Sequence, residues 1–218
     1  MPMMTLKILG ALLDYPREEM LSCLPEMKRA LDTEGRLAPA RRDDLFVLMD
    51  RLAGRDPMEA QEDYVALFDR TRSLSLHLFE HVHGESRDRG QAMVDLLAMY
   101  EAKGLEIDVS ELPDYLPLFL EFLSILPEGE ALELLGEVRH ILIVLAERLA
   151  KRESVYHTIF TALVEMSQAV AGKTAGEIAT PAADEADLDK VWEEEEVLFG
   201  AGSAINSCPA ARGVLAKM

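Results

Sequence analysis

The segment His77–Gly90 holds the densest group of side chains that could do chemistry, since it contains three of the five histidines of the chain. In a helix, His77 and His81 would lie on one face, four residues apart, and this spacing can bind a metal ion. Glu80 could then supply a carboxylate ligand. A glycine directly after His83 predicts that the helix ends there, so a fixed four-ligand geometry is not favoured. The sequence therefore favours a hydrogen-bonded surface role over a metal site, with partner contact as a third interpretation.

Other patterns typical of enzymes are missing from the sequence. The 13 glycines are scattered, so no phosphate-binding loop is indicated. Nucleophile elbows and Cys–His pairs at known spacing are also missing. Glu137 and His140 have the Glu-x-x-His spacing of di-metal helical bundles, but a second clear copy is missing. We predict a protein that is not an enzyme and has no catalytic residue, cofactor or metal, with a metal-binding helical enzyme as the alternative.

The charge of the chain narrows the class of partner. Its 218 residues carry a net charge of -18 at pH 7, from 22 basic and 40 acidic side chains. Such a surface repels nucleic acid and attracts basic peptides. An exposed ion pair adds only about 0.2–1 kcal/mol, so apolar contact would have to hold a bound peptide.

Apolar residues recur at helical spacing along most of the chain, for example at Val138, Ile141 and Leu145. Proline and glycine interrupt this pattern repeatedly. The sequence therefore predicts an all-α bundle of seven or eight helices. The most apolar stretches are too short to span a bilayer, and the N-terminus has no small-residue cleavage site. We expect a soluble, cytoplasmic protein that does not insert into a membrane.

One predicted helix, Leu112–Leu126, is apolar nearly all round and should be the buried centre of the bundle. Pro113 suits the start of a helix, where a missing N–H costs nothing. Asp114 would complement the positive end of the helix dipole.

The same helix could instead border a groove. Glu111, Asp114 and Glu121 would surround Tyr115 and Leu118, which gives an apolar floor with an acidic rim. Such a groove suits a basic amphipathic helix. On periodicity alone, simple core packing is the favoured interpretation.

The composition changes after residue 171. The sequence there is rich in alanine, glycine and acid, and we predict a largely disordered acidic tail. Within this tail, Trp192 and Val197–Phe199 flank four consecutive glutamates and predict a short docking segment. The chain is thus predicted to comprise a helical domain, residues 1–171, and an acidic flexible tail, residues 172–218.

Three motif blocks carry a resemblance to a known family. They are Tyr64–Asp69, Leu78–Gly90 and Glu111–Glu121. With their spacing, they resemble the NarJ family of nitrate reductase assembly chaperones, and the likeness extends from about Thr5 to Phe199. This family belongs to the wider group of TorD-like redox-enzyme maturation proteins.

The resemblance implies a TorD-like helical bundle with a Pro-Asp motif opposite a groove. Pro113-Asp114 matches that motif, and Tyr115 stands where many relatives of the wider group carry histidine. It further implies a chaperone that binds the apo catalytic (alpha) subunit of a membrane-bound nitrate reductase, partly through the basic N-terminal peptide of that subunit. The chaperone would hold it in the cytoplasm until the iron–sulfur clusters and the molybdenum cofactor are inserted. Molybdenum cofactor biosynthesis proteins would be further partners.

A maturation chaperone for another molybdoenzyme, such as a sulfoxide, amine-oxide or selenate reductase, is the alternative within the same group. In either case, the motif blocks imply which side chains form or border the surface that binds the client. This predicted surface comprises Glu111, Pro113, Asp114, Tyr115, Leu118, His77, Glu80, His81, His83, Arg87 and Arg89.

Overall fold

The repeated apolar residues form helices nearly everywhere in the computed structural model, which describes residues 3–82, 87–107 and 111–168. These residues contain ten α-helices and no β-strand, so the all-α prediction is confirmed. The helices are α1 Met4–Leu13, α2 Glu18–Ser22, α3 Leu24–Glu34, α4 Pro39–Ala53, α5 Pro57–Tyr64, α6 Arg87–Ala102, α7 Leu116–Ile125, α8 Glu128–Glu137, α9 Arg139–Lys151 and α10 His157–Gln168. None of them is long and apolar enough to cross a membrane. The predicted tail, residues 172–218, and its docking segment lie outside the described residues.

Helix α7 is the buried helix that its apolar composition predicts. Seven of its ten residues are buried, and α1 packs along it. The two helices approach most closely at Gly10, where an added Cβ would lie 3.0 Å from the Pro117 carbonyl oxygen and 3.2 Å from Leu120 Cβ. A larger side chain at this position would hold the helices apart.

The start of α7 differs from the predicted helix Leu112–Leu126, since the helix begins at Leu116. The Leu116 N–H donates to the carbonyl oxygen of Leu76 at 2.8 Å, so residues 114–116 pair with another segment instead of forming the first turn. Tyr115 is the N-cap residue of the helix, and its side chain does not accept a hydrogen bond from the first backbone N–H groups of the helix. The predicted role of Asp114 at the positive end of the helix dipole is therefore wrong.

Two breaks that the apolar pattern does not predict, although Pro25 and Gly136 lie close to them, raise the number of helices above the predicted seven or eight. Cys23 separates α2 from α3, and Val138 separates α8 from α9. Apolar spacing continues across Val138, so periodicity could not reveal the break. As a result, Glu137 and His140 lie on different helices and do not form the helical pair that a di-metal site would use.

Candidate partner-binding site

The chain between α5 and α6 brings two of the motif blocks together. A π-helical turn, Val65–Asp69, follows α5, and a short 3-10 turn, Leu78–Glu80, comes later. His77 and Tyr115 form an isolated antiparallel bridge. In this bridge the Leu78 N–H donates to the Asp114 carbonyl oxygen at 3.0 Å. Residues that lie more than thirty positions apart in sequence are thus neighbours in space.

Asp114 is fully buried, with 0% of its surface exposed. Its carboxylate accepts hydrogen bonds from His77 Nδ1 at 3.2 Å and from the Phe79 N–H at 3.2 Å. Arg89 Nη2 lies 3.7 Å from the same carboxylate and 3.5 Å from Glu80. We call Asp114, His77, Phe79 and Arg89 the Asp114 network. A buried carboxylate requires such donors, because losing water without them is costly.

The burial of Asp114 corrects the expectation that this residue lies on an exposed acidic rim. Its side chain points to the 77–79 segment and away from solvent. Pro113 is half-buried, and its carbonyl oxygen accepts a hydrogen bond of 2.8 Å from the Tyr100 hydroxyl. The Pro-Asp motif is therefore held mainly by internal contacts.

Tyr115 is joined to α1 and α5 through hydroxyl groups. Its hydroxyl lies 3.2 Å from Asp14 Oδ1 and 3.1 Å from the Tyr64 hydroxyl, which itself contacts the Leu13 carbonyl oxygen at 2.9 Å. Burial raises the pKa of both tyrosines well above the ordinary value, so both hydroxyls remain protonated. Two protons thus serve three contacts, so the two hydroxyls cannot donate to Leu13, to Asp14 and to each other at the same time.

A cleft of about 190 Å³ lies between α1 and α7 on one side of Tyr115. We call it the acidic cleft. Apolar surface comes from Leu118 and from the Tyr115 ring, and the one basic group, Lys7, pairs with Glu121 at 3.1 Å. Its carboxylates are Asp14, Glu111 and Glu121.

A second cleft, of about 410 Å³, lies on the other side of Tyr115, and we call it the polar cleft. The π-helical turn contributes Phe68 and Asp69 to its wall, and such turns often occur at functional sites. The predicted site residues that line it are His77, Glu80, Arg89 and Tyr115. Tyr115 is therefore the shared wall of the two clefts.

The histidines do not adopt the arrangement that a metal site would need. Residues 78–80 form a 3-10 turn, so His77 faces Asp114 while His81 Nε2 contacts the Ser75 carbonyl oxygen at 2.8 Å. The helical pairing of His77 and His81 is therefore wrong. Within residues 3–82, 87–107 and 111–168, no group of three or more potential ligands could hold a metal ion. His83 and the side chain of Arg87 lie outside the described residues.

Three residues of the site were not predicted from the sequence. Asp14, Tyr64 and Tyr100 contribute to the site, and none of them was predicted to do so. Tyr64 begins one of the motif blocks, and this was the available signal for it. Asp14 precedes Tyr15 and Pro16, a pattern that indicates only the end of a helix, and Tyr100 follows apolar residues at helical spacing.

His81 predicts a pH dependence of stability. Burial, the largest influence, lowers the pKa of His81 below its ordinary value, and the charge of Arg148 acts in the same direction. The unfolded chain then binds the proton more readily, so the free energy of unfolding should fall as the pH drops below about 6.5. Urea unfolding at pH 7.5 and 5 measures this loss. It should be smaller in His81→Gln, and an equal loss in both proteins would contradict the assignment.

Comparison with known proteins identifies the family. The profile described as nitrate reductase delta subunit matches residues 34–162, which include all three motif blocks. The nitrate reductase molybdenum cofactor assembly chaperone NarJ of Escherichia coli K12 is 46% identical over 201 residues, covering 90% of this chain and 85% of that protein. The chain belongs to the nitrate reductase delta subunit family. The resemblance to NarJ proteins that the motif blocks indicated is therefore confirmed.

Proteins of other organisms are also similar to this chain. A Bacillus subtilis protein, named as a probable chaperone of the same kind, is 32% identical over 163 residues, or 73% of this chain and 88% of that protein. Among solved structures, a redox enzyme maturation protein from Archaeoglobus fulgidus superposes with a TM-score of 0.56 at 22% identity. It covers 76% of this chain and 93% of its own, so the two share a fold. The predicted all-α bundle is thus confirmed as the fold.

Proposed function

We propose that this protein is a cytoplasmic chaperone for the catalytic subunit of a respiratory nitrate reductase. It binds that subunit before the iron–sulfur clusters and the molybdenum cofactor are inserted, and releases it afterwards. The observation that carries the proposal is the 46% identity to E. coli NarJ across 90% of the chain. Molybdenum cofactor biosynthesis proteins would meet the chaperone through the bound client.

The acidic cleft is the proposed binding site for the basic N-terminal peptide of the client. Asp14 and Glu111 provide negative charge, and Leu118 and the Tyr115 ring provide apolar contact. Complementary charge accelerates the encounter, whereas apolar burial supplies most of the affinity. Because exposed ion pairs are weak, at about 0.2–1 kcal/mol each, the complex can dissociate once the client has folded.

This role needs no chemical step at the protein. The chaperone binds a cofactor-free conformation of the client and so lowers the population of the other conformations. The size of this shift depends on the difference between its affinities for these conformations. Premature association of the client with its membrane partner is then delayed. The residues that line the acidic cleft would bind the client through their shape and charge.

Charge reversal at Glu111 tests the cleft. Glu111 is exposed and borders the acidic cleft, so Glu111→Lys should weaken binding of the client's N-terminal peptide by about tenfold, or about 1.4 kcal/mol. Isothermal titration at low salt measures the affinity. The matched control is Glu133→Lys, which makes the same charge change on an exposed residue of α8.

The outcomes of this titration separate the alternatives. Wild-type affinity in Glu111→Lys, or equal losses in both variants, would count against the cleft. Tighter binding of the leader peptide from a sulfoxide, amine-oxide or selenate reductase would favour another molybdoenzyme as the client. Higher salt should weaken binding to the wild type more than to Glu111→Lys, because the variant has lost part of the electrostatic attraction.

A further inference from the structure

Helix α6 has few deeply buried side chains. Among its residues 89–102, Tyr100 alone is fully buried, while Val94 is 60% and Met99 is 38% exposed. The Tyr100 ring packs on Phe122 of α7, with 4.5 Å between the ring centroids. Contacts near its two ends therefore have a large share in keeping α6 in place.

These contacts near the two ends converge on one dipeptide. Arg89, near the start of α6, approaches the Asp114 carboxylate at 3.7 Å, and the Tyr100 hydroxyl donates to the Pro113 carbonyl oxygen at 2.8 Å. Arg89 and Tyr100 are three helical turns apart, roughly 16 Å along the axis. Pro113 and Asp114 thus act as one attachment point for the whole length of α6.

The same dipeptide also holds the 77–79 segment. The Leu78 N–H donates to the Asp114 backbone carbonyl at 3.0 Å, and the Phe79 N–H donates to the Asp114 side chain at 3.2 Å. Tyr115 follows directly, and its ring borders both clefts. A displacement of Asp114 would therefore move the shared wall of the clefts.

We infer that Asp114 is a positioning residue, which fixes Tyr115 in the acidic cleft by tying α6 and the 77–79 segment to the start of α7 and does not itself touch the client. With 0% of its surface exposed, Asp114 has no face to offer a partner. The part of the inference that concerns the client rests on the proposed function. The inference extends that function, because it couples the affinity for the client to Asp114 and Tyr100, which line neither cleft.

Tyr100→Phe tests this coupling. The variant keeps the ring that packs on Phe122 and removes only the hydroxyl that reaches Pro113. Tyr100 lines neither cleft, so a purely local role would leave the clefts unchanged. The matched control is Tyr156→Phe, which removes a hydroxyl from another buried tyrosine, one whose ring packs on Phe68.

Two measurements need no client. In Tyr100→Phe, the amide protons of Leu78 and Phe79 should exchange at least about threefold faster than in the wild type, since their acceptors are less firmly held. The ring signals of Tyr115 in NMR spectra should shift as well. Both readouts should match the wild type in Tyr156→Phe, and unchanged exchange with an unshifted Tyr115 ring in Tyr100→Phe would overturn the inference.

A third measurement uses the client's N-terminal peptide. Its affinity should fall about three- to tenfold in Tyr100→Phe and stay unchanged in Tyr156→Phe, with both proteins folded at the temperature of the titration. Faster amide exchange with unchanged affinity would overturn the coupling to the cleft. Failure of the wild type to bind the peptide would contradict the proposed function instead, and the amide exchange and Tyr115 signals would still decide whether Asp114 positions Tyr115.

Discussion

Replacing Asp114 with alanine should lower the free energy of unfolding by about 3–5 kcal/mol, the usual cost of removing one partner from a buried ion pair. The Phe79 N–H and the His77 ring would lose their acceptor inside the protein. The Arg89 side chain, only 22% exposed, would lose the Asp114 carboxylate and keep that of Glu80. Urea unfolding followed by far-ultraviolet circular dichroism measures the change.

A graded series separates charge from hydrogen bonding at this position. Asp114→Asn keeps an acceptor for the Phe79 N–H but loses the charge that faces Arg89, so we expect roughly half of the alanine effect. Asp43→Ala is the control, because Asp43 is an exposed partner of Arg42 and should change stability by less than about 1 kcal/mol. Equal stability of Asp114→Ala and Asp43→Ala would show that the Asp114 network contributes little.

Replacing Gly10 with valine should destabilise the protein by about 2–3 kcal/mol, because an overpacked core forces backbone shifts. The Cβ alone would lie 3.0 Å from a backbone carbonyl oxygen of Pro117, which cannot move without α7. The two γ-methyl groups add to this crowding. Since Gly10 also lines the acidic cleft, the same variant should weaken peptide binding.

Two glycine-to-alanine variants, one at Gly136 and one at Gly10, provide the control for crowding at Gly10. At Gly136 on α8, a Cβ would meet nothing within 4 Å, so Gly136→Ala should stabilise the protein by about 0.5 kcal/mol through helix propensity. Gly10→Ala gains the same propensity but meets Pro117 and Leu120, so its net effect should be destabilising. Thermal unfolding of both variants measures the two signs, and a stabilised Gly10→Ala would contradict close packing of α1 on α7.

The sequence predicted the parts of the fold that depend on local patterns. Helix α7 was found because its residues are apolar on nearly every face, and most helix ends were found because proline or glycine stands at them. The break at Val138 was not predicted, because apolar spacing continues across it even though Gly136 stands two residues before it. Helices α8 and α9 both pack against α10, and one stretch of sequence does not encode such contacts.

The candidate site was predictable only in part, for a different reason. Asp114 was recognised as important, but its burial depends on His77, Phe79 and Arg89, which lie 25 to 37 positions earlier in the chain. A carboxylate near exposed glutamates in the sequence is expected to be exposed to solvent. Its burial can be predicted only if the donors on His77, Phe79 and Arg89 are known to face it. The contribution of Asp14 was missed because α1 meets α7 across more than one hundred residues.

The packing of α1 on α7 also has a consequence for biosynthesis. Helix α1 buries seven of its ten residues, yet α7, which covers it, is translated much later. At about 5–20 residues per second, the ribosome needs on the order of 5–20 s for the roughly 100 intervening residues. During that interval the nascent chain exposes a strongly apolar N-terminal segment, so this chaperone for another protein has an aggregation-prone stage in its own synthesis.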